Sequence, residues 1–404
     1  MTHILSQTLN VLHRATSLVF RHRLPLLVFG LFAIFETILG QALNTTWEWD
    51  AVTRSMQGYE IAAKGIGWYF SEGNGHYVWL PFWQLLMGFA YSFFHINTIL
   101  IGEVASALCA GGTAVYVFVF LRKFGLDETQ SILGSMMLLT FGHYVAYSSQ
   151  AMTESLSVLL FFACLYHLYL YFDTGSLGNL GIASLASLVN VATRYEAWFF
   201  LALIIGFMFF SLRFSQNPRF RFVNVVHVVL FALPSITFIG LWLEYNLMMA
   251  GTIFGFRDWI LAHNAHESLM FYKDWGYTLI VVLGNLFFAL GTFWMSIIEQ
   301  LKQLESRKRR IQDNMLVLFG LLFLGYIIYF AYSVFTGFNI GWPRHYLYFV
   351  PLSIIAFMLN KFEKKPASYV LLIFNIVLGI VAFAYNVQAH NLYAQSGQWP
   401  GDRP

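Results

Sequence analysis

Long apolar runs alternate with short polar stretches along almost the whole chain. The first extends from about residue 24 to 43, close to the roughly twenty residues a helix needs to cross the hydrocarbon of a bilayer. Comparable runs follow at 98–121, 129–147, 155–172, 177–193, 197–212, 224–244, 277–298, 315–335, 345–360 and 369–385. The pattern predicts an all-α polytopic membrane protein with about 11 spans. The run at 24–43 is long for the core of a signal peptide and contains Glu36, so it is read as a retained span. One stretch breaks the pattern. Residues 81–95, "PFWQLLMGFAYSFFH", are too few for a crossing, open with Pro81 and close with His95. They are read as an amphipathic helix lying at the membrane surface.

The placement of basic residues tests that reading, because cytoplasmic segments carry an excess of Lys and Arg. With 81–95 at the surface, Arg14, Arg21, Arg23, Arg122, Lys123, Arg213, Arg219, Arg221, the basic run at 302–310 and Lys361, Lys364 and Lys365 all fall inside. Arg54, Lys64, Arg194, Arg257, Lys273, Arg344 and Arg403 are left outside. A crossing at 81–95 would reverse every loop after it and put most basic residues outside. The amino terminus is therefore expected in the cytoplasm. The polar segments 44–97 and 245–276 become the two outer loops of a single transmembrane domain, 1–404, with no soluble carboxyl-terminal domain. A plasma membrane is the expected location, with the endoplasmic reticulum as the alternative.

Composition narrows the classes further. Only 11% of residues are charged and 58% are hydrophobic, with a mean hydropathy of +0.62; a soluble domain is about 25% charged. Cys109 and Cys164 both lie in apolar runs, which argues against disulfides and cysteine metal sites. The chain has no GxxxxGKS, HExxH or CxxC motif. Nothing supports nucleic-acid binding.

The ionisable residues near span ends gather on the outer side: Glu36, Glu103, Glu154, Arg194, Glu196, Glu244 and Arg344. Ionisable groups at membrane depth are costly and usually face a cavity or one another. In "TTWEWDAVTR", Asp50 and Arg54 stand one helical turn apart beside Glu48, just past the first span. Asp50 suits a helix start, and Val52, Met56, Tyr59 and Ala63 form an apolar stripe behind it. His76 closes the first outer loop next to a run of interfacial aromatics. Glu154 stands at the start of a span, where a helix dipole favours an acid. Arg194 and Glu196 share a very short turn and are able to pair with each other. Arg344 and His345 open a late span, where headgroup contact is the simpler explanation. Glu48 and Asp50 also make an E-x-D pair able to bind a hard divalent cation through oxygen; no other cofactor is expected.

In their order along the chain, Asp50 after the first span, "WLPFWQLL" (79–86), "TRYEAW" (193–198) and "PRHYLYFVPL" (343–352) resemble the GT-C class of membrane glycosyltransferases. Protein O-mannosyltransferases and the lipid A aminoarabinose transferase belong to that class, and both take sugar from a polyprenyl phosphate. The resemblance implies a first outer loop with two juxtamembrane helices and a catalytic aspartate, which falls on Asp50. It implies a second acid at Glu154 and a late basic residue at Arg344. The chain departs from the mannosyltransferases in having "WLP" where they have a double proline, and the subfamily stays open.

The expectation that follows is a monosaccharide transferase working on the outer face. Its donor would be a polyprenyl-phosphate sugar, and its acceptor a protein, lipid or glycan. Asp50 and Glu154 would be catalytic, Arg344 and Arg194 would hold the donor phosphate, and Arg54, Glu48, His76, Glu196 and His345 would support them. Displacement would be direct, with inversion. The alternative from another class is a secondary transporter or flippase for a lipid-linked or small polar substrate.

Overall fold

The computed structural model describes residues 23–43, 49–71, 76–214, 224–271, 311–336 and 343–359, with isolated positions at 370, 373 and 377. The spans read at 277–298 and 369–385, and the side chain of Glu48, lie outside the described residues apart from those three positions. Every described element is helical. In chain order these are α1 (Arg23–Leu43), α2 (Trp49–Lys64), α3 (Ile66–Tyr69), a 3-10 turn (His76–Val78), α4 (Phe82–Phe94), α5 (Thr98–Lys123), α6 (Glu128–Met136), a 3-10 turn (Met137–Thr140), α7 (Gly142–Ser148) and α8 (Thr153–Thr174). Then come α9 (Leu177–Val191), α10 (Glu196–Phe214), α11 (Val225–Ala250), α12 (Gly255–Phe271), α13 (Ile311–Phe335), a 3-10 turn (Pro343–Tyr346) and α14 (Phe349–Leu359).

Among the described residues, α5, α8 and α11 are long and apolar enough to cross a membrane. They differ in where they sit. The apolar stretch of α8 is 72% buried within the protein, whereas that of α11 is 28% buried. A helix that is apolar all round either fills a core or faces lipid. Helix α8 is the first case. It packs against α5 and α9 and carries Phe161, Phe162, Leu165, Leu168 and Tyr171 into the main hydrophobic cluster. Helix α11 is the second, with Val226, Val229, Leu233, Ile236 and Leu241 on its exposed side. Helix α9 joins them, since it packs on both α8 and α11.

The run at 129–147, read as one span, is not one helix. It breaks into α6, a 3-10 turn and α7. Asp127 starts it with a capping box closed by Gln130. The break follows from polar content: Ser131, Ser135, Thr140 and Ser148 each turn a hydroxyl back onto a backbone carbonyl three or four residues earlier, and such bonds compete with a regular helix.

The first outer segment folds as helices. Helix α2 packs across α4, and the crossing needs glycine on both sides. A Cβ on Gly58 would lie 2.6 Å from that of Met87, and one on Gly88 would lie 2.8 Å from the Gly58 carbonyl. The apolar stripe of α2 does not face the core. Met56 and Tyr59 are exposed, while Ala51, Arg54, Ser55 and Gly58 are buried. Helix α4 is similar, with Trp83, Gln84 and Met87 inside and Phe89, Phe93 and Phe94 exposed. An apolar outer face and a polar inner face are what a helix at a lipid interface requires.

Candidate active site

Three helices begin at one end of the bundle with an acid in the first turn: Asp50 on α2, Glu154 on α8 and Glu196 on α10. The partial positive charge at a helix N-terminus favours an acid there. The turn Pro343–Tyr346, just ahead of α14, reaches the same end with Arg344 and His345. Arg194 sits in the bend between α9 and α10. Residues nearly 300 positions apart in sequence are thereby brought into one charged cluster.

Its bonds are specific. Arg344 Nη1 donates to Asp50 Oδ2 at 2.8 Å, and Arg344 Nε lies 3.8 Å from Glu154 Oε1. Arg194 is gripped from two sides. Its Nη1 donates to Glu154 and, at 3.1 Å, to Thr153 Oγ1. Its Nε and Nη2 donate to the two carboxylate oxygens of Glu196 at 3.1 and 2.8 Å, a bidentate fork. His345 Nδ1 is 2.6 Å from Glu196 Oε1. Glu154 and Glu196 are 2% and 6% exposed, so their charges depend on these partners.

Below the charges a neutral network pins the turn that carries Arg344. Tyr326 Oη donates to the His345 carbonyl at 2.8 Å. Tyr348 Oη and the Ser157 hydroxyl are 2.5 Å apart, and Ser157 also bonds Asn190. Ser106 Oγ donates to the Met152 carbonyl at 3.0 Å, anchoring the segment just before Glu154.

Two neighbours stand at the edge of the cluster. Arg54 is buried over the ring of Trp79, its guanidinium carbon 4.9 Å from the ring centroid. His76 is buried farther along α2, where Gln57 Nε2 approaches its Nδ1 at 3.0 Å and Gln84 Nε2 donates to Gln57 Oε1 at 3.3 Å. Tyr69 stacks on His76 with ring centroids 4.7 Å apart. Asp50, Arg54 and Gln57 recur at helical spacing and form the buried polar face of α2.

The electrostatics follow from burial and these contacts. Burial pushes the Asp50 carboxyl up, but Arg344, Arg54 and Arg194 outweigh it and hold the group below the ordinary aspartate range. Burial pushes Arg54 down, and Asp50 and Glu154 only partly restore it. Burial also opposes the charge of Arg194, yet Glu154 and Glu196 more than compensate and raise it well above the usual value. Burial lowers His76, with Glu60 opposing.

Asp50, Glu154, Arg194, Glu196, Arg344 and His345 thus meet in one cluster, with Arg54 beside it. His76 lies next to Gln57 instead, and Glu48 lies outside the described residues. The intimate partner of Asp50 is Arg344, not the Arg54 one turn along α2. Thr153, Ser157, Asn190, Tyr326, Tyr348 and Trp79 were not singled out from sequence as site residues. Thr153 and Ser157 carried a signal, since both flank Glu154 on an otherwise apolar helix. Among the described residues no three His, Cys, Asp or Glu side chains gather in a way that could hold a metal ion.

An interfacial helix pair, a broken span and acids at converging helix starts make up a GT-C-like fold, and comparison with solved structures bears this out. ArnT from Cupriavidus metallidurans, a GT-C aminoarabinose transferase whose crystal structure is bound to undecaprenyl phosphate, superposes with a TM-score of 0.55 at 13% sequence identity. The match covers 86% of this chain and 62% of ArnT, so the chain spans less than two-thirds of that protein. No protein-family profile matches the sequence, and no curated protein is significantly similar to it.

Proposed function

We propose that the protein is a GT-C-type glycosyltransferase that moves a monosaccharide from a polyprenyl phosphate to an acceptor hydroxyl at the membrane surface. The observation that carries this reading is the Arg344–Asp50 contact, which sets a cation suited to a phosphate against a carboxylate suited to a hydroxyl proton. The fold shared with ArnT supports the choice of a lipid-phosphate donor.

In this scheme the acceptor oxygen attacks the anomeric carbon as Asp50 takes its proton. The bond to the lipid phosphate breaks, and configuration inverts in one displacement. Arg344 stabilises the phosphate as it leaves. The sequence reading also gave Arg194 to the phosphate. Its bonds favour a different part, because Nε, Nη1 and Nη2 are all taken up by Glu154, Glu196 and Thr153. Arg194 would then hold the two glutamates, with Glu154 orienting Arg344 and His345 orienting Glu196. The phosphate stays at headgroup level because its charge cannot enter hydrocarbon cheaply. The acceptor hydroxyl comes from that side, outer or lumenal. Nothing in the scheme requires a metal.

The test is Asp50→Asn in purified protein with a polyprenyl-phosphate sugar and acceptor. Asn keeps the shape and suits a helix start nearly as well. Transfer is expected to fall roughly a hundredfold or more, the usual effect of losing a general base, with donor binding retained. Near-normal turnover would reduce Asp50 to a partner for Arg344.

A further inference from the structure

Three carboxylates and three guanidiniums meet around the site: Asp50, Glu154 and Glu196 against Arg54, Arg194 and Arg344. Arg194 and Arg344 both contact carboxylates. Arg54 does not. It is 8% exposed, and its Nε and Nη1 have neither solvent contact nor a hydrogen-bond partner among the described residues. Asp50 and Glu154 act on it only through space. The ring of Trp79 covers it, but a cation–π contact uses the face of the guanidinium plane. The N–H groups lie in the edge, which that contact leaves unspent.

A buried guanidinium with unspent donors is costly, because it has given up water and received no acceptor in return. Nothing in α2 requires the cost. The inward-facing neighbours Ala51, Ser55 and Gly58 are small, and any helix-forming apolar residue would serve the backbone at position 54. The position is also telling: Arg54 is one turn beyond Asp50 on the same face. An oxyanion bound there would lie beside the carboxylate that faces Arg344.

We propose that Arg54 is the residue that receives the oxyanion of a lipid phosphate, binding two of its oxygens with the N–H edge that the resting protein leaves unpaired. The inference rests on the glycosyltransferase reading for the identity of the ligand. It divides the labour among the three arginines. Arg194 holds the glutamates, Arg344 bridges to Asp50, and Arg54 supplies the docking point. A planar fork suits a phosphate better than a point charge does, so lysine is only a partial substitute here.

The experiment uses the full chain in lipid nanodiscs and three probes: undecaprenyl phosphate, undecaprenol and inorganic phosphate. Affinity and ligand-induced thermal shift are measured for wild type, Arg54→Gln and Arg54→Lys. Wild type is expected to prefer undecaprenyl phosphate to undecaprenol by roughly tenfold or more, the scale of one charge-assisted fork. Arg54→Gln should lose most of that preference while binding undecaprenol as before, and Arg54→Lys should keep part of it. If Arg54→Gln only lowers the ligand-free melting temperature and keeps the full preference, Arg54 is structural and this inference fails while the function stands. If wild type does not distinguish the two lipids, the inference and the glycosyltransferase reading fail together. If inorganic phosphate competes as well as the lipid, the site takes a free anion and the lipid assignment is overturned.

Discussion

Glu154 and Glu36 are buried to the same degree, 2% and 0% exposed, yet they are treated in opposite ways. Glu154 sits at the start of α8 with Arg194 and Thr153 in contact and Arg344 at 3.8 Å. Glu36 sits within α1, and neither of its carboxylate oxygens has a hydrogen-bond partner among the described residues. Its polar neighbours are Ser148 and Tyr144. The Ser148 hydroxyl is spent on backbone carbonyls and the Tyr144 hydroxyl is itself unpaired. One region is an ionic network that holds charge in place, and the other is a polar pocket without a cation. The difference is one of geometry. Three helix starts, a bend and a 3-10 turn meet around Glu154 and bring arginines with them, while regular helix surrounds Glu36 and brings only neutral groups.

The comparison is broken most severely at Arg194. Replacing it with Met strips Glu154 and Glu196 of their shared partner, and removing one member of a buried pair costs about 3–5 kcal/mol. The yield of folded protein and the thermal midpoint should both collapse. The added change Glu196→Gln, which removes one orphaned charge, should restore part of the loss. A midpoint within a degree of wild type for Arg194→Met would show that the network holds nothing.

Acidity sharpens the same contrast. Asp50 lies below the ordinary aspartate range, so the stability it contributes is present above its unfolded value of about 3.9 and is lost as pH falls through the lower folded value. Arg344→Gln removes the nearest cation and should move that loss to higher pH. The acid limb of a kcat/KM profile, where Asp50 must be ionised to act as base, should move the same way. An acid limb that stays in place would mean that Arg344 does not set the state of Asp50.

Ser157→Ala should act more mildly. It cuts the link among Tyr348, Asn190 and α8 beneath the Arg344 turn, an effect of about 1 kcal/mol in thermal denaturation. If the linkage positions Arg344, donor KM should rise along with the lost stability. A stability loss with unchanged KM would confine Ser157 to packing.

The smallest effect is expected at Glu36. Glu36→Gln keeps the shape and orphans no cation, so stability should change by less than about 1 kcal/mol. Glu154→Gln, tested beside it, should cost clearly more. Equal costs would erase the distinction between the two regions.

Much of this was legible from the amino-acid order. Apolar runs set by hydrocarbon thickness gave α1, α5, α8, α9, α10 and α11 to within a few residues, because span length and composition are local properties. The shortness of 81–95 marked α4 as something other than a crossing for the same reason. The acids and bases of the site could be picked out because ionisable residues are rare in such a chain and stand out at span ends. Other features were decided by tertiary structure alone. Which face of α2 turns inward depended on its glycine-mediated crossing with α4, and it was the polar face, not the apolar stripe. The break at 129–147 depended on hydroxyls returning to the backbone. Above all, the pairing was not local. Asp50 has an arginine one turn away, yet it bonds Arg344 from the far end of the chain. A side chain takes the partner that packing brings to its tip, and an arginine on the same helix surface can lie edge-free beneath a tryptophan only four residues away.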